Sequence, residues 1–227
     1  VKAIFIKVPR TGSSAFSHIL YRVYDGLHYP VAPVPIPIEI HNPDDRWYTD
    51  RENFKKEWHD RVEELDWSGH RYIHVHAPLE LWDGFWEGVP RIAFVRNPVD
   101  FVISGYFFAR HLGHIEKDMT IYQYAKLSYR RNWQSMLVGK DLSRLAYIGC
   151  FERYGLSVLE ISQLLNWEYI PAAPILNSNL LYHKNYMARL ERYRSDVRLL
   201  NLVSKYHQED IKLWKSVYQN MRKSFSS

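Results

Sequence analysis

Three short segments bring together residue types that bind anions and move protons. The first is Val8-Pro9-Arg10-Thr11-Gly12-Ser13-Ser14-Ala15, which follows the strand-like run Lys2–Val8. A Gly/Ser/Thr turn leading from a strand into a helix offers backbone N–H groups and the positive helix end to an anion. Arg10 adds a full charge, and the small side chains of Thr11 to Ala15 let a phosphate approach the backbone. The plain alternative is an ordinary helix start capped by Ser13 or Ser14. The nucleotide-triphosphate loop G-x-x-x-x-G-K-[ST] is absent, which removes the main support for a kinase or ATPase.

The second segment is Phe94-Val95-Arg96-Asn97-Pro98 and on to Ser104-Gly105-Tyr106. Arg96 ends a continuous apolar run, the position where open α/β sheets hold their ligands. Ser104 falls two turns into the helix that follows, and a guanidinium with a hydroxyl suits a second phosphate. A strand-end arginine paired with Asp100 is the competing reading. The third segment is His74-Val75-His76. Residues two apart on a strand share a face, and a neutral imidazole is well suited to take a proton from a hydroxyl. Two structural histidines, or a metal site completed by His70, His111 or His114, are the alternatives. No Cys or Glu completes a recognisable ligand spacing, so no metal is expected.

The elements that must carry these segments alternate between the two periods. Strands are expected at Lys2–Val8, Arg71–His76, Arg91–Val95 and Leu145–Ile148. Helices are expected from the first turn to about Tyr24, near Arg51–Leu65, from Pro98 to about His111, over Thr120–Leu137 and over Gly155–Leu165. A loop over about 166–186 and helices to about Phe225 complete the chain. Asn97 is the N-cap candidate of its helix, with Pro98 in the first turn and Asp100 complementing the dipole. The proline-rich stretch 29–43 reads as an extended loop. Strands alternating with helices predict an α/β domain with a central, mostly parallel sheet flanked by helices.

Composition bounds the function. The 227 residues suit one domain, 1–227, large enough to bury a core without disulfide or metal staples. A net charge of +5 favours anionic ligands without choosing among them. The single cysteine, Cys150, and the lack of a long apolar run favour a cytoplasmic protein with no membrane span. Neither a lysine/arginine run nor a nucleic-acid recognition motif is present, so no nucleic-acid partner is expected.

In their order, the three segments resemble those of the sulfotransferases that use 3′-phosphoadenosine-5′-phosphosulfate (PAPS). They are most similar to the carbohydrate (heparan sulfate 2-O-type) family and its bacterial relatives. That family opens on a strand and a P-K-T-G-G/S-[ST]-[ST] loop, continues with an H-G-H or G-H strand, and then carries R-D-P-x-x-R-x-x-S-x-Y. The corresponding residues here are Pro9–Ser14, His74-Val75-His76, and Arg96-Asn97-Pro98 through Ser104 and Tyr106. Further likenesses run through Asn132-Trp133-Gln134 with Leu137 and Gly139, Tyr147–Tyr154, Leu176-Asn177-Ser178 and Asp210–Trp214. Arg10 departs from the family's lysine, Val75 from its glycine, Asn97 from its aspartate and Phe101 from its second arginine.

The resemblance implies a three-layer, P-loop-like sulfotransferase fold. It also implies in-line transfer of a sulfuryl group from PAPS to a hydroxyl of a carbohydrate or other hydroxylated acceptor, leaving PAP. His76 would be the general base, with His74 orienting it or touching the acceptor. Arg10 and the backbone of Thr11, Gly12, Ser13, Ser14 and Ala15 would meet the 5′-phosphosulfate, and Arg96 with Ser104 the 3′-phosphate. Asn177 and Ser178 would close over the cofactor. Golgi relatives are membrane-anchored and this sequence shows no anchor, so a bacterial or viral cytoplasmic member is expected ahead of a trimmed Golgi luminal domain. The aromatic residues Trp47, Tyr48, Trp58, Trp67, Trp82 and Trp86 are candidates for stacking on an acceptor ring or for core packing. A nucleotide-dependent phosphotransferase and an inactive PAP- or glycan-binding module are the alternatives.

Overall fold

The computed structural model describes residues 1–24, 50–65, 67, 71–172 and 179–223. The apolar runs form four parallel strands, β1 (Ala3–Ile6), β2 (Tyr72–Val75), β3 (Arg91–Val95) and β4 (Tyr147–Cys150), in the order β2-β1-β3-β4. Their alternation sorts side chains to two buried faces, as expected where helices cover both sides of a parallel sheet. Phe5, Ile92 and Phe94 meet α1 (Ser13–Tyr24) and α6 (Tyr154–Leu164) through Phe16, Ile19, Leu20, Val158 and Ile161. Ile4, Ile6, Ile73, Ala93, Val95 and Cys150 face the other way. There they pack with α2 (Arg51–Glu64), α5 (Trp133–Val138) and α10 (Gln208–Lys223). The result is the expected α/β architecture, helices on either side of a parallel sheet.

A third apolar cluster joins α3 (Pro98–His111), α4 (Ile121–Tyr124), α8 (Tyr186–Arg194) and α9 (Val197–Tyr206). Helix α3 starts as its sequence predicts. Pro98 is its first residue, and the Asn97 side chain accepts the Val99 N–H at 2.9 Å. Helix α1 differs from the capped alternative. Ser13 is already helical, and the carbonyl of Gly12 accepts from Phe16 N at 3.0 Å.

Other boundaries move for identifiable reasons. The helix expected over Thr120–Leu137 is broken into α4, a 3-10 turn at Ser128–Arg130, and α5. Thr120 and Gln123 form a capping box, but Arg131 folds back on the Lys126 carbonyl and Asn132 takes a left-handed φ of 51°. Strand β4 sits two residues later than expected, and β2 stops at Val75, leaving His76 beyond the sheet. Within the expected 166–186 loop lies a short helix, α7 (Asn179–Tyr182). The stretch 29–43 lies outside the described residues.

Chain order and spatial order disagree at one place. From β1 the chain steps to β2 on one side, then crosses back to β3 on the other. The connections after β1 and β3 therefore diverge, and a crevice opens between them at the carboxyl ends of the strands. The Arg10 and Arg96 segments follow those two strands.

Candidate anion-binding site

The turn after β1 is tightly wound. Arg10 and Gly12 both have positive φ, 61° and 79°. Thr11, fully buried, ties the turn to its strand by donating from Oγ1 to the Val8 carbonyl at 2.8 Å. The turn also presses on the connection after β4. A Cβ on Gly12 would lie 2.8 Å from the Tyr154 ring and 3.1 Å from Phe151. Only glycine suits both the backbone angle and the space. Ser14 and Ala15 lie in the first turn of α1, half-buried.

Across the crevice, Arg96 is held by its backbone. Its N–H donates to Gln134 Oε1 at 2.7 Å, and its carbonyl accepts from Gln134 Nε2 at 2.9 Å. A fully buried side-chain amide thus continues the β3 pairing one residue past the sheet. Gln134 is anchored in turn by two helix starts that cap each other. Asp210, in the first turn of α10, accepts from Ser135 N at 2.7 Å and Gln134 N at 3.4 Å. Asn132 Oδ1, ahead of α5, accepts from Glu209 N at 3.0 Å and Asp210 N at 3.4 Å. Burial pushes the Asp210 carboxyl up to about 6 against the pull of those N–H groups. On the far side, Glu152 Oε1 accepts the Asn97 N–H at 2.7 Å and fixes the entry into α3.

The Arg96 guanidinium lies over the Phe151 ring, 4.4 Å from its centroid, and donates from Nη1 to the Arg10 carbonyl at 3.1 Å. The expected pairing with Asp100 is loose, at 4.0 Å. The tight partner of Asp100 is Arg194 of α8, at 2.8 and 2.5 Å. The Nε of Arg96 is buried and has no hydrogen-bond partner among the described residues, and burial lowers the pKa of the group. Arg10 reaches over α3, its guanidinium 4.2 Å above Phe108 and its Nε donating to Ser104 Oγ at 3.1 Å. Burial, followed by the charge of Arg96, pushes Arg10 down to about 10, so it remains a cation at neutral pH. Ser104 therefore accepts from Arg10, where the sequence had paired it with Arg96. It is also bound by Asn179, whose Nδ2 donates to Ser104 O at 3.0 Å and to Ser104 Oγ at 3.3 Å.

The two histidines have different surroundings. His74, in register with Phe5, meets the edge of Tyr72 at 5.8 Å. His76 lies past the strand, where the alternation no longer applies, and its Nδ1 is 2.6 Å from the Lys7 carbonyl. A carbonyl only accepts, so Nδ1 carries the proton of the neutral ring and the lone pair lies on Nε2. Among the described residues no group of three His, Cys, Asp or Glu is placed to hold a metal ion. His70, Asn177, Ser178, Trp47 and Tyr48 lie outside the described residues. Trp58 and Trp82 are core residues in edge contact at 5.4 Å, and Trp67 and Trp86 pack against that core. The acceptor-stacking role is thereby removed for Trp58 and Trp82.

Gln134 and Asn179 are not among the candidate site residues of the sequence; the signal for Gln134 is its place in the Asn132-Trp133-Gln134 likeness. Asn179 has a weak signal, since it directly follows the Leu176-Asn177-Ser178 segment. The buried Arg96 and half-buried Arg10 guanidiniums, an Arg96 Nε without a partner among the described residues, and the Ser104 hydroxyl form a donor set suited to a phosphate or sulfate ester.

No family model matches the chain, and no curated protein matches it. Among solved structures it is similar to that of retinol dehydratase in complex with androsterone and inactive cofactor PAP, with a TM-score of 0.47 and 14% identity. The match covers 85% of this chain and 64% of that one, so the chain spans a little under two thirds of that protein's length. No helix among the described residues is long and apolar enough to cross a membrane.

Proposed function

We propose that residues 1–227 form one PAPS-dependent sulfotransferase domain that transfers a sulfuryl group to a hydroxyl of a carbohydrate or other hydroxylated acceptor. The observation that carries this reading is the meeting of Arg10 and Arg96 across the crevice between β1 and β3, with Ser104 beside them. Like charges this close, one buried and the other half-buried, favour a polyanion between or beside them. The resemblance of the three segments to those of PAPS-dependent sulfotransferases narrows that polyanion to a nucleotide with a 3′-phosphate. Bound there, PAPS would supply the sulfuryl group and depart as PAP.

The chain's own residues divide the work. Arg96 and Ser104 hold the 3′-phosphate, which separates PAPS from nucleotides with a free 3′-hydroxyl. Arg10 and the N–H groups of Thr11 to Ala15 neutralise charge on the 5′ side, as positioned donors do in phosphoryl transfer. His76 removes the acceptor's proton at Nε2, its ring oriented through Nδ1 by Lys7 O. Such a base typically contributes about 10²–10⁴-fold to rate. His74, on β2, orients His76 or touches the acceptor, and the resemblance assigns Asn177 and Ser178 to the nucleotide.

Turnover of PAPS across a panel of glycans and phenols tests the activity, with PAP binding measured by calorimetry. His76→Ala is expected to abolish transfer while PAP still binds, and unchanged turnover would remove His76 as the base. Arg96→Ala is expected to weaken PAP by about 2–4 kcal/mol, roughly 30- to 1,000-fold, with a much smaller loss for adenosine 5′-phosphosulfate. Equal losses on the two ligands would contradict a 3′-phosphate role. A PAP- or glycan-binding module without transfer is the second reading, favoured by arginine at position 10 where the resembling family has lysine. Binding of PAP with no turnover on any acceptor, in both the natural chain and Arg10→Lys, would select it.

A further inference from the structure

The hydrogen bonds around Ser104 decide which way its hydroxyl can act. A serine hydroxyl has one O–H donor and two acceptor lone pairs. Arg10 Nε–H and Asn179 Nδ2–H both donate to Ser104 Oγ, at 3.1 and 3.3 Å, and together they fill the acceptor capacity. The orientation of the Asn179 amide is not free to reverse. Its Nδ2 also donates to the Ser104 backbone carbonyl at 3.0 Å, and turning the amide would set two acceptors against each other. Stacking on Phe108 holds the Arg10 guanidinium in the same way. Ser104 and Asn179 are each 2% exposed, so water competes poorly for these contacts. Among the described residues, the Ser104 O–H donates to nothing.

We infer that Asn179 is a positioning residue that, together with Arg10, holds the Ser104 hydroxyl as a hydrogen-bond donor, so that the site prefers a ligand with acceptor oxygens there. The inference rests on the proposed PAPS reading and deepens it. A 3′-phosphate presents only acceptors to Ser104, whereas a 3′-hydroxyl presents a weaker acceptor and a competing donor. Asn179 lies in the first turn of α7 and ties that helix to α3. It acts through Ser104 without needing to touch the ligand.

The test is a double-mutant cycle read by calorimetry, with PAP and adenosine 5′-phosphosulfate as the two probes. Asn179→Ala is expected to weaken PAP by about 5- to 20-fold and to change adenosine 5′-phosphosulfate less than about 2-fold. In a Ser104→Ala background the same change is expected to add less than about 2-fold, because the hydroxyl it orients is gone. Asn179→Ser, which can still donate to Ser104, is expected to recover part of the PAP affinity. A merely structural role would lower both probes together, and it would do so equally with or without Ser104. Either of those results, with PAP binding intact in the unaltered chain, overturns the inference alone. Failure of the unaltered chain to bind PAP overturns the reading of the site and the inference with it.

Discussion

Gly12→Ala perturbs the turn after β1 at the point where two separate physical terms act. The first is backbone strain. Gly12 has φ of 79°, and the left-handed region costs a residue with a Cβ about 1–2 kcal/mol. The second is crowding, because the new methyl would lie 2.8 Å from Tyr154 and 3.1 Å from Phe151. Overpacking of that kind costs about 1–3 kcal/mol. Their sum is about 2–5 kcal/mol, and at roughly 2–4 °C per kcal/mol for a chain of this size the midpoint should fall by roughly 4–20 °C. Gly88→Ala separates the terms, since Gly88 has φ of 82° and nothing within 4 Å of its would-be Cβ. It should show only the backbone term, about 1–2 kcal/mol. Thermal melts of both variants, with and without PAP, make the comparison. Gly12→Ala should be the less stable by about 1–3 kcal/mol and should also lose PAP-induced stabilisation, which Gly88→Ala should keep. Equal drops in midpoint, or a Gly12→Ala protein stabilised by PAP as fully as the natural chain, would refute the loop's proposed close fit.

Other expectations follow from groups that hold the site. Asn132→Ala removes the cap on α10 and places alanine at φ of 51°, so chemical denaturation should show a loss of about 2 kcal/mol; Asn132→Gly should lose only the cap, about 1 kcal/mol. Arg194→Ala leaves buried Asp100 with Arg96 alone at 4.0 Å; because Arg194 is partly exposed the loss should be about 1–3 kcal/mol, and an unchanged unfolding midpoint would argue against that ion pair. Two buried groups set opposite pH slopes. Burial depresses His207, so the stability tied to its neutral form is present above about pH 6.5 and is lost as pH falls below it. Burial raises Asp210 from 3.8 to about 6, so its contribution is present below pH 3.8 and is lost as pH rises through about 6. Urea midpoints measured from pH 4 to 8 should flatten on the acid side in His207→Gln and between pH 4 and 6 in Asp210→Asn.

Electrostatics explains why the crevice needs so much support. Arg10 and Arg96 repel each other, and both lose hydration on burial. The chain holds them with neutral devices: the Gln134 amide on the Arg96 backbone, aromatic rings under both guanidiniums, and Ser104 on Arg10. On the proposed reading, carboxylates close enough to neutralise them fully would compete with the nucleotide's phosphates. Asp100, the nearest to Arg96, is engaged by Arg194 instead. Cys150, which could have suggested redox chemistry, has its thiol on Glu152 at 2.8 Å and is pushed up to about 12 by burial, which leaves it a poor nucleophile.

The amino-acid sequence by itself determined the local pieces of this protein. Apolar runs bounded by Pro9, Pro78 and Asn97 specify strands, and the Asn97-Pro98 start of α3 is legible to the residue, because caps and periodicity act over four or five neighbours. The three candidate segments stand out for the same reason, since each is a run of neighbouring residues. Only the tertiary structure decided who meets whom. Ser104 is 94 residues from Arg10 and 75 from Asn179, Gln134 is 38 from Arg96, and Arg194 is 94 from Asp100. Those partners are chosen by the strand order β2-β1-β3-β4, which brings the turns after β1 and β3 side by side. A one-dimensional pattern carries no such order. It also cannot tell a surface tryptophan from Trp58 or Trp82, whose burial depends on helices arriving from both ends of the chain.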